Sequence, residues 1–581
     1  MAKNRINNIT QLFFELLPVQ IITSVISYLS TIISGVVIGK NLTAVDMVAL
    51  GFASPLTMII AVIGSIIPSG AKVICGRYIG RGEKDKVNET FTTSLVMLLV
   101  YGLLISVICQ AFIYKIAIAL GCDNECINNT VSYLRGISIG IIPSVITPCL
   151  ITFLQMQNES RYALFSTLTL AIVNFILDFG CCMLFDVNIF SIGLISSISQ
   201  YIYLAILVVK FIKDKKLAKL EFRHNLELIK NIVVIGLPSG LSGVLYSIRN
   251  TSLNLMAGNI YGNDAVNALS ILNSSCGIFD SVNIGVSTVA LMLCSVYYGE
   301  RDKKSIKDLF YVCIKWGLLF AFIKLGIIYF GSYAIGNIYN ASEEVNRLLF
   351  DLYVPYGITM PLNIFTVVFV AIFQSTDRVT LCSFLYPISA FIAPIGFAKL
   401  LAPVIGIHAV FNCYWFAEIA AIFTIYIVTV IKKKKLFVSL EELLGIDSKM
   451  NIGNHLSISI KDISHAINVS KEIEEYCKKE NIDERRSMLT GLCAEEICVN
   501  IFEHGFTKVK RKSKNIDLFV DVEDNLVNLR IKDNAISFDP HIKINESEDK
   551  TVNIGIRMVS KIAQEMKYQN TFGLNVLSIT L

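Results

Sequence analysis

The stretch GKNLTAVDMVAL, residues 39–50, returns 219 residues later as GNIYGNDAVNAL, residues 258–269. Gly39 and Gly258, Ala49 and Ala268, and Leu50 and Leu269 stand in register. The same offset joins Tyr78 to Tyr297, Gly80 to Gly299 and Gln155 to Gln374. Coincidental matches in apolar sequence do not hold one register over such a distance, so the region reads as a duplication of about six helices. Six is even. Both copies then insert with one orientation, related by an axis along the membrane normal, with a cavity between two lobes.

Composition sets the same class. Of 581 residues, 54% are hydrophobic and only 17% charged, with a mean hydropathy of +0.60, outside the range of soluble domains. Apolar runs of about 18 residues or more read as spanning helices, and twelve are expected, at roughly 11–37, 47–72, 91–114, 136–155, 162–185, 190–212, 229–257, 266–296, 309–335, 350–373, 380–398 and 408–431. Eleven of the 12 prolines precede residue 404, several inside these runs, where helices kink. The last 133 residues are different, with 39 charged against 58 in the first 448. The expected division is an N-lobe at 1–218, a C-lobe at 219–437, a linker at 438–450 and a soluble domain at 451–581.

Lys and Arg resist translocation, so their distribution sets orientation. Arg77, Arg81, Lys84 and Lys86 occupy one loop, seven bases lie from Lys210 to Lys230, and Arg301, Lys303, Lys304 and Lys307 precede the run Lys432, Lys433, Lys434 and Lys435. The alternate loops hold little beyond Lys40, Lys115, Arg347 and Lys399. An even span count then places both termini in the cytoplasm, in a multi-pass protein of the cell membrane. The long first run, followed by further spans, argues against a cleaved signal peptide. A net charge of +5 gives no reason to expect a nucleic-acid partner. Most of the 15 cysteines sit in apolar segments as small buried hydrophobes; Cys122 and Cys126, in an expected external loop, are candidates for a disulfide.

The segments GVVIGKNLTAVDMVALGFASP, PSGAKVICGRYIGRGEKDKV, AIVNFILDFGCCMLF, GLPSGLSGVLYSIRNTSLNLMAGNIYG and SVYYGERDKK resemble the multidrug and toxic compound extrusion family over residues 10 to 431. The resemblance implies a twelve-helix, two-lobe antiporter that exports amphipathic, often cationic compounds while Na⁺ or H⁺ flows inward. A buried carboxylate in a span is costly enough that its presence calls for a reason, either ion coupling or a hydrogen-bonded polar pair that holds helices together. Asp178 lies in the fifth span with Asn174 four residues earlier, on the same helical face, and this NFILD stretch matches the family's fifth-helix cation motif. Where the family carries an acidic residue in its first helix, ISGVVIG here has Ser34, a neutral oxygen that takes no proton at physiological pH. Asp280 in the eighth span and Glu418 in the twelfth are the candidates for coupling in the C-lobe. The competing reading is a structural ion pair with Arg249, Lys315 or Lys324. Tyr246, Phe279, Tyr386 and Tyr414 are candidates to line a cavity for flat cations.

After Met450 the pattern is a strand LSISI, helices around 464–479 and 484–504, strands near NIDLFVDVE and LVNLRIKD, a helix after Gly555 and a last strand in LNVLSITL. That is an α/β sandwich large enough to fold alone. In EEICVNIFEHGF, Glu496, Asn500 and His504 recur every four residues; an amide oxygen beside a carboxylate suits Mg²⁺ and a general base. With KDNAISFDP and NIGIRMVSKIA in this order, the segment resembles the N, G1 and G2 boxes of the ATP-binding fold shared by histidine kinases, gyrase and anti-sigma-factor serine kinases, closest to the last. By that resemblance Asn500 ligates Mg²⁺, Glu496 acts as general base, Asp533 bonds the adenine amino group and Gly555 lets backbone amides approach the phosphates. Ala535 and Asn553 stand where the boxes carry glycine.

The chain therefore reads as a secondary exporter whose cytosolic domain binds Mg-ATP or a regulatory protein. The alternatives are a membrane-anchored anti-sigma-type serine kinase or receptor, and a flippase for lipid-linked saccharide. ATP-powered primary transport is disfavoured because the chain has no GxxxxGKS/T phosphate loop.

Overall fold

The structure is a computed structural model and describes all residues except 1, 42–43, 123–125, 185–187, 215–218, 222, 224, 340, 447–454, 507–513, 515, 524–525, 541–553 and 572. It also leaves aside the side chains of 2–5, 27, 30–41, 44, 47–48, 54, 181–184, 455, 523, 554 and 571. Helices α1 (Ala2–Asn41) to α14 (Ile407–Lys433) build the apolar body. Among the described residues eleven helices are long and apolar enough to cross a membrane, and a twelfth span follows if α4 (Ile127–Ile139) and α5 (Ile141–Met156), bent by 42° at Gly140, are one. Every expected span has its helix. The eleventh is broken, with α12 (Val379–Pro387) and α13 (Ala393–Ile405) joined by a π-helical turn, Ile388–Ile392. Pro387 and Pro394 flank this turn, and each lacks the N–H an α-helix needs there.

The helices outrun the apolar stretches that announced them. Helix α2 (Ala44–Arg81) continues nine residues past the expected end at 72, and α9 (Asn263–Gly299) past 296. Their extra turns meet. A Cβ on Gly80 would overlap the carbonyl oxygen of Val296, and one on Gly299 would overlap that of Arg77, so the two repeat-related glycines allow backbone contact between the lobes. Beside them the Arg77 guanidinium donates to the carbonyl oxygens of Ser375 (3.0 Å) and Thr376 (2.9 Å) at the end of α11 (Glu343–Ser375), and pairs with Asp377 at 3.4 Å. A cation on unsatisfied C-terminal carbonyls is favourable. Deeper in, Gln374 Nε2 reaches Ser69 Oγ (3.0 Å), Ser239 Oγ (2.9 Å) and the Ile235 carbonyl (2.9 Å), tying α2 and α8 (Leu226–Tyr261) to α11. The lobes are thus closed at one end of the bundle. The C-terminal domain lies at this end, called the domain side below.

Helix α15 (Leu440–Leu444) opens with a capping box between Ser439 and Glu442 and packs on the membrane body, with Leu444 buried and Glu441 paired to Lys307 at 3.0 Å. The domain beyond is an antiparallel sheet ordered β1 (His455–Ile460), β2 (Ile516–Glu523), β3 (Leu526–Asp533), β5 (Leu574–Thr580), β4 (Glu565–Thr571). One face carries α16 (Ile463–Lys479), α17 (Glu484–Asn500) and α18 (Ile554–Ile562) over a core that includes Ile458, Val469, Cys498, Leu529 and Ile579. Strand β4, EMKYQNT, is absent from the sequence expectation because its polar residues hide the period-2 signal. The expected helix 484–504 ends at Asn500 and finishes in a π-helical turn, Ile501–Gly505.

Cys122 and Cys126 are not bridged. The Cys122 thiol instead lies 3.5 Å from Thr130 Oγ1.

Replacing Gly80 by Ala places a methyl group against the Val296 carbonyl. The expected cost is on the order of 1–3 kcal/mol, measured as a lower thermal midpoint of the detergent-solubilised protein than that of Gly51→Ala, whose added methyl meets nothing within 4 Å.

Candidate cation and nucleotide sites

In the C-lobe, polar side chains from α9, α10 (Lys303–Ile338), α11 and α14 form one chain of hydrogen bonds inside the apolar body. Lys324 Nζ donates to Asn283 Oδ1 at 2.6 Å and to the Phe279 carbonyl at 3.2 Å; Asn283 Nδ2 donates to Asn363 Oδ1 at 2.7 Å; Asn363 Nδ2 donates to Glu418 Oε1 at 2.9 Å. The Asp280 carboxylate, one turn before Asn283, accepts from Tyr356 Oη at 3.1 Å. Glu418 is buried; its Oε2 faces the Thr366 hydroxyl, and neither atom makes a well-formed hydrogen bond among the described residues. A buried carboxylate oxygen left unsatisfied carries a large desolvation cost. Glu418 Oε2 therefore offers a ligand atom to a Na⁺ or a proton.

Among the described residues no base lies within 4 Å of the Asp280 or Glu418 carboxylate, although Lys324 and Arg249 are near enough to act on Asp280 through charge. Lys324 spends its bonds on Asn283 and a carbonyl, and Lys315 lies over the Trp316 ring at 5.3 Å. The Arg249 guanidinium sits over the rings of Tyr246 (4.8 Å) and Tyr414 (5.1 Å). Two of the aromatic faces expected to receive a cation already hold one of the chain's own.

The N-lobe is simpler. Asp178 is buried on α6 (Ser160–Leu184) and accepts from Asn174 Nδ2 at 3.2 Å. Asn174 also lines a cavity of about 900 Å³ among α2 to α7, whose wall is largely apolar with Ser65, Ser144, Thr167 and Gln200 as polar points. Ser34 lies on α1 outside the residues whose side chains are described.

In the C-terminal domain a cavity of about 760 Å³ opens between the helices and the inner face of the sheet, lined by Asn500, His504, Asp533, Gly555, Tyr568 and Asn575 among others. A Cβ on Gly555 would overlap Glu496 Oε2 and stand 3.5 Å from Asn500 Nδ2, so Glu496, Asn500 and Gly555 meet at one corner. His504 follows Asn500 through the π-helical turn and still lines the cavity. Asp533 Oδ1 accepts from the Ala535 amide and from Asn575 Nδ2, both at 2.8 Å. Tyr568 Oη donates to Asn575 Oδ1 at 2.7 Å and accepts from the Phe538 amide at 3.0 Å. Burial pushes the Tyr568 phenol above its ordinary value, so it holds its proton and donates. Ala535 is not among the residues with positive φ, so alanine in place of glycine meets no backbone penalty. Asn553 lies outside the described residues.

This donor set fits a Mg-nucleotide: an amide and a carboxylate for a hydrated Mg²⁺, a glycine at the start of α18 for phosphate approach, and a fixed carboxylate at the far end for a base amino group. The sequence missed Asn575 and Tyr568, which have no place in the three boxes. It missed Asn283 and Asn363 too, although amides inside spans were a sufficient signal.

The sequence pattern of the MatE family matches residues 20–179 and 238–398, and that of the histidine kinase-like ATPase domain matches 461–581. Among curated proteins, the multidrug export protein MepA of Staphylococcus aureus strain RF122 / ET3-1 is 23% identical over 50% of this chain and 64% of its own length, somewhat less than two thirds. In strain MSSA476 the match covers 57% and 73%. A probable multidrug resistance protein NorM of Streptococcus pneumoniae is 24% identical over 40% of this chain and 51% of its own. A solved outward-facing multidrug resistance MATE family transporter of the MOP superfamily superposes with a TM-score of 0.69 at 18% identity, covering 73% of this chain and 97% of that one. A MOP superfamily transporter from Pyrococcus furiosus Vc1, described by the reverse polarity of its binding pocket, gives 0.67 at 18% identity over 71% and 94%.

A Gly555→Val substitution drives a branched side chain into the Glu496 and Asn500 corner. It is expected to weaken Mg-ATP binding to the full chain at least tenfold, about 1.4 kcal/mol, measured by titration calorimetry in detergent.

Proposed function

The chain belongs to the MatE family, and from that premise we propose that it is a secondary exporter of amphipathic, often cationic organic compounds. It runs on an inward flow of Na⁺ or H⁺ and carries a regulatory domain that binds Mg-ATP. The observation that carries the coupling is the buried Glu418 carboxylate at the end of the Lys324, Asn283, Asn363 chain, whose Oε2 has only the Thr366 hydroxyl beside it and no well-formed hydrogen bond. A buried carboxylate is stabilised when a cation neutralises it and destabilised when the cation leaves. A cation that binds one conformation better shifts the balance toward it, so loading from one side and release to the other drives the lobes between two arrangements. Asp178 with Asn174 supplies the corresponding group in the N-lobe. Asp280, held by Tyr356, sets the field around Glu418.

The base-rich loops support a cell-membrane protein with both termini in the cytoplasm, with lobes at 1–218 and 219–437. The domain side is then the cytoplasmic side, and the domain at 451–581 meets cellular nucleotide. Its Glu496, beside Asn500, is placed to act as a general base toward a hydroxyl. That would make a bound regulatory protein a phosphoryl acceptor, as in anti-sigma serine kinases.

Ethidium efflux from proteoliposomes under an imposed Na⁺ or pH gradient tests the exporter. Asp178→Asn and Glu418→Gln are each expected to cut gradient-driven efflux at least tenfold at unchanged expression, and full efflux in either variant rejects that residue's role. Flux that ignores every gradient in the parent protein rejects the reading as a whole.

A further inference from the structure

The sheet's second face settles where the domain sits. Side chains alternate across a strand, and in β3 the residues 527, 529, 531 and 533 are buried toward the helices while 528, 530 and 532 point the other way. Two cross-strand rows follow on that outer face: Lys532, Val576 and Gln569, then Arg530, Ser578 and Lys567. An outer face open to water would leave these residues exposed. Val576 is instead 3% exposed.

What covers the face is the domain side of the membrane body. Lys532 Nζ lies 3.1 Å from each carboxylate oxygen of Glu300 and 4.9 Å from the centre of the Tyr297 ring. Arg530 Nη1 donates to the Glu300 carbonyl at 2.8 Å. Gln569 Nε2 donates to the Ile79 carbonyl. Between these polar contacts Leu574 and Val576 meet Leu12 of α1 and Val296 of α9 around one small gap. Glu300 is buried, so the Lys532 pair is a desolvated contact with geometric specificity, unlike a loose surface pair.

The two attachment points decide the consequence. Ile79 precedes Gly80 in the N-lobe, and Glu300 follows Gly299 in the C-lobe; these are the glycines whose backbones touch. One rigid sheet therefore grips both sides of the seam that must part when the lobes open on this side. We propose that the outer face of the C-terminal sheet is an intramolecular clamp, which holds the domain-side ends of the two lobes together and must lift from one of them for the export cycle to proceed.

The alternation also provides a lever, a part of the proposal that rests on the nucleotide reading. Lys532 grips Glu300 while its neighbour Asp533 lines the nucleotide cavity. Gln569 grips Ile79 while its neighbour Tyr568 lines the same cavity. A ligand that shifts Asp533 or Tyr568 moves the adjoining grip on the opposite face.

A disulfide tests the clamp. A Cβ on Gly82 would lie 3.9 Å from Lys567 Cβ, within the roughly 3.5–4.5 Å that disulfides require. Gly82 has φ +72°, yet the repeat-related Arg301 sits at +58°, so a side chain is tolerated there. In the full chain carrying Gly82→Cys, Lys567→Cys and a protease site inserted in the linker, oxidation is expected to keep the two cleaved fragments together on a non-reducing gel. It should also cut ethidium efflux at least fivefold, reversed by dithiothreitol. Fragments that separate after oxidation, or a cross-linked protein that exports at the reduced rate, overturn the clamp.

Charge reversal checks it without a cross-link. Lys532→Glu is expected to slow cross-linking about tenfold and raise the initial efflux rate, and adding Glu300→Lys is expected to restore both. Failure to restore, in a double variant that elutes as the parent does, also overturns it. Mg-ATP is expected to change the cross-linking rate at least threefold, and not in Asn500→Ala. ATP that binds by calorimetry yet leaves the rate unchanged overturns the lever. ATP that gives no heat overturns the nucleotide reading and with it the lever, and the clamp is then decided by the fragments and the efflux.

Discussion

The rest of the structure depends on close backbone contact between the lobes, where Gly80 meets the end of α9 and Gly299 the end of α2, and where Gly70 of α2 meets Gly236 of α8. Two helices of opposite lobes approach this closely only where neither carries a Cβ. The pair Gly80 and Gly299 is related by the 219-residue offset, so the duplication itself generates a self-complementary contact on its own pseudo-axis. Arg77 on the α11 carbonyls and Gln374 between Ser69 and Ser239 reinforce closure from farther out. These directional contacts are set into a broad apolar interface, in which α1 and α2 pack on α8 and α9 within one core that runs through both lobes.

The lobes share a fold and have diverged in charge. The N-lobe keeps one buried carboxylate beside a cavity, Asp178 with Asn174. The C-lobe carries Asp280 and Glu418 with Lys324, linked through Asn283 and Asn363. Polar groups in an apolar bundle must be satisfied by one another, and the chain from Lys324 through Asn283 and Asn363 to Glu418 does so at every step up to Glu418 Oε1. Arg249 lies on the faces of Tyr246 and Tyr414, close enough to act on both carboxylates through charge without pairing with either.

Much of this was legible in the sequence because it follows from local rules. Apolar run length gave every span, the register of Gly39 with Gly258 and Gly80 with Gly299 gave the duplication, and the three boxes singled out Glu496, Asn500 and Gly555, which meet at one corner. What escaped depends on partners distant in sequence. Strand β4 is polar because Lys567 and Gln569 face the membrane body and Tyr568 faces a hydrogen-bond network, so no apolar alternation marks it. The chain from Lys324 to Glu418 joins four helices, and no spacing within one of them announces it. The paired cysteines at 122 and 126 looked like a disulfide because spacing carries no information on where thiols point.

The contrast between the two faces of the C-terminal sheet carries the argument furthest. In most sheets with helices on one side, the other side meets water and its residues vary freely. Here Val576, Lys532 and Gln569 lie in one cross-strand row on that side and are committed to three contacts with the membrane body, while Asn575, Asp533 and Tyr568, each next to one of them in sequence, bound the domain's large cavity. A strand transmits displacement across its thickness because neighbouring residues share a peptide plane that does not bend. Two sites joined by single peptide units on two strands need no long pathway of side chains to communicate. The same stiffness excludes independent behaviour: a shift of Asp533 that left Lys532 unmoved would have to distort β3, which is paired on both sides along its length.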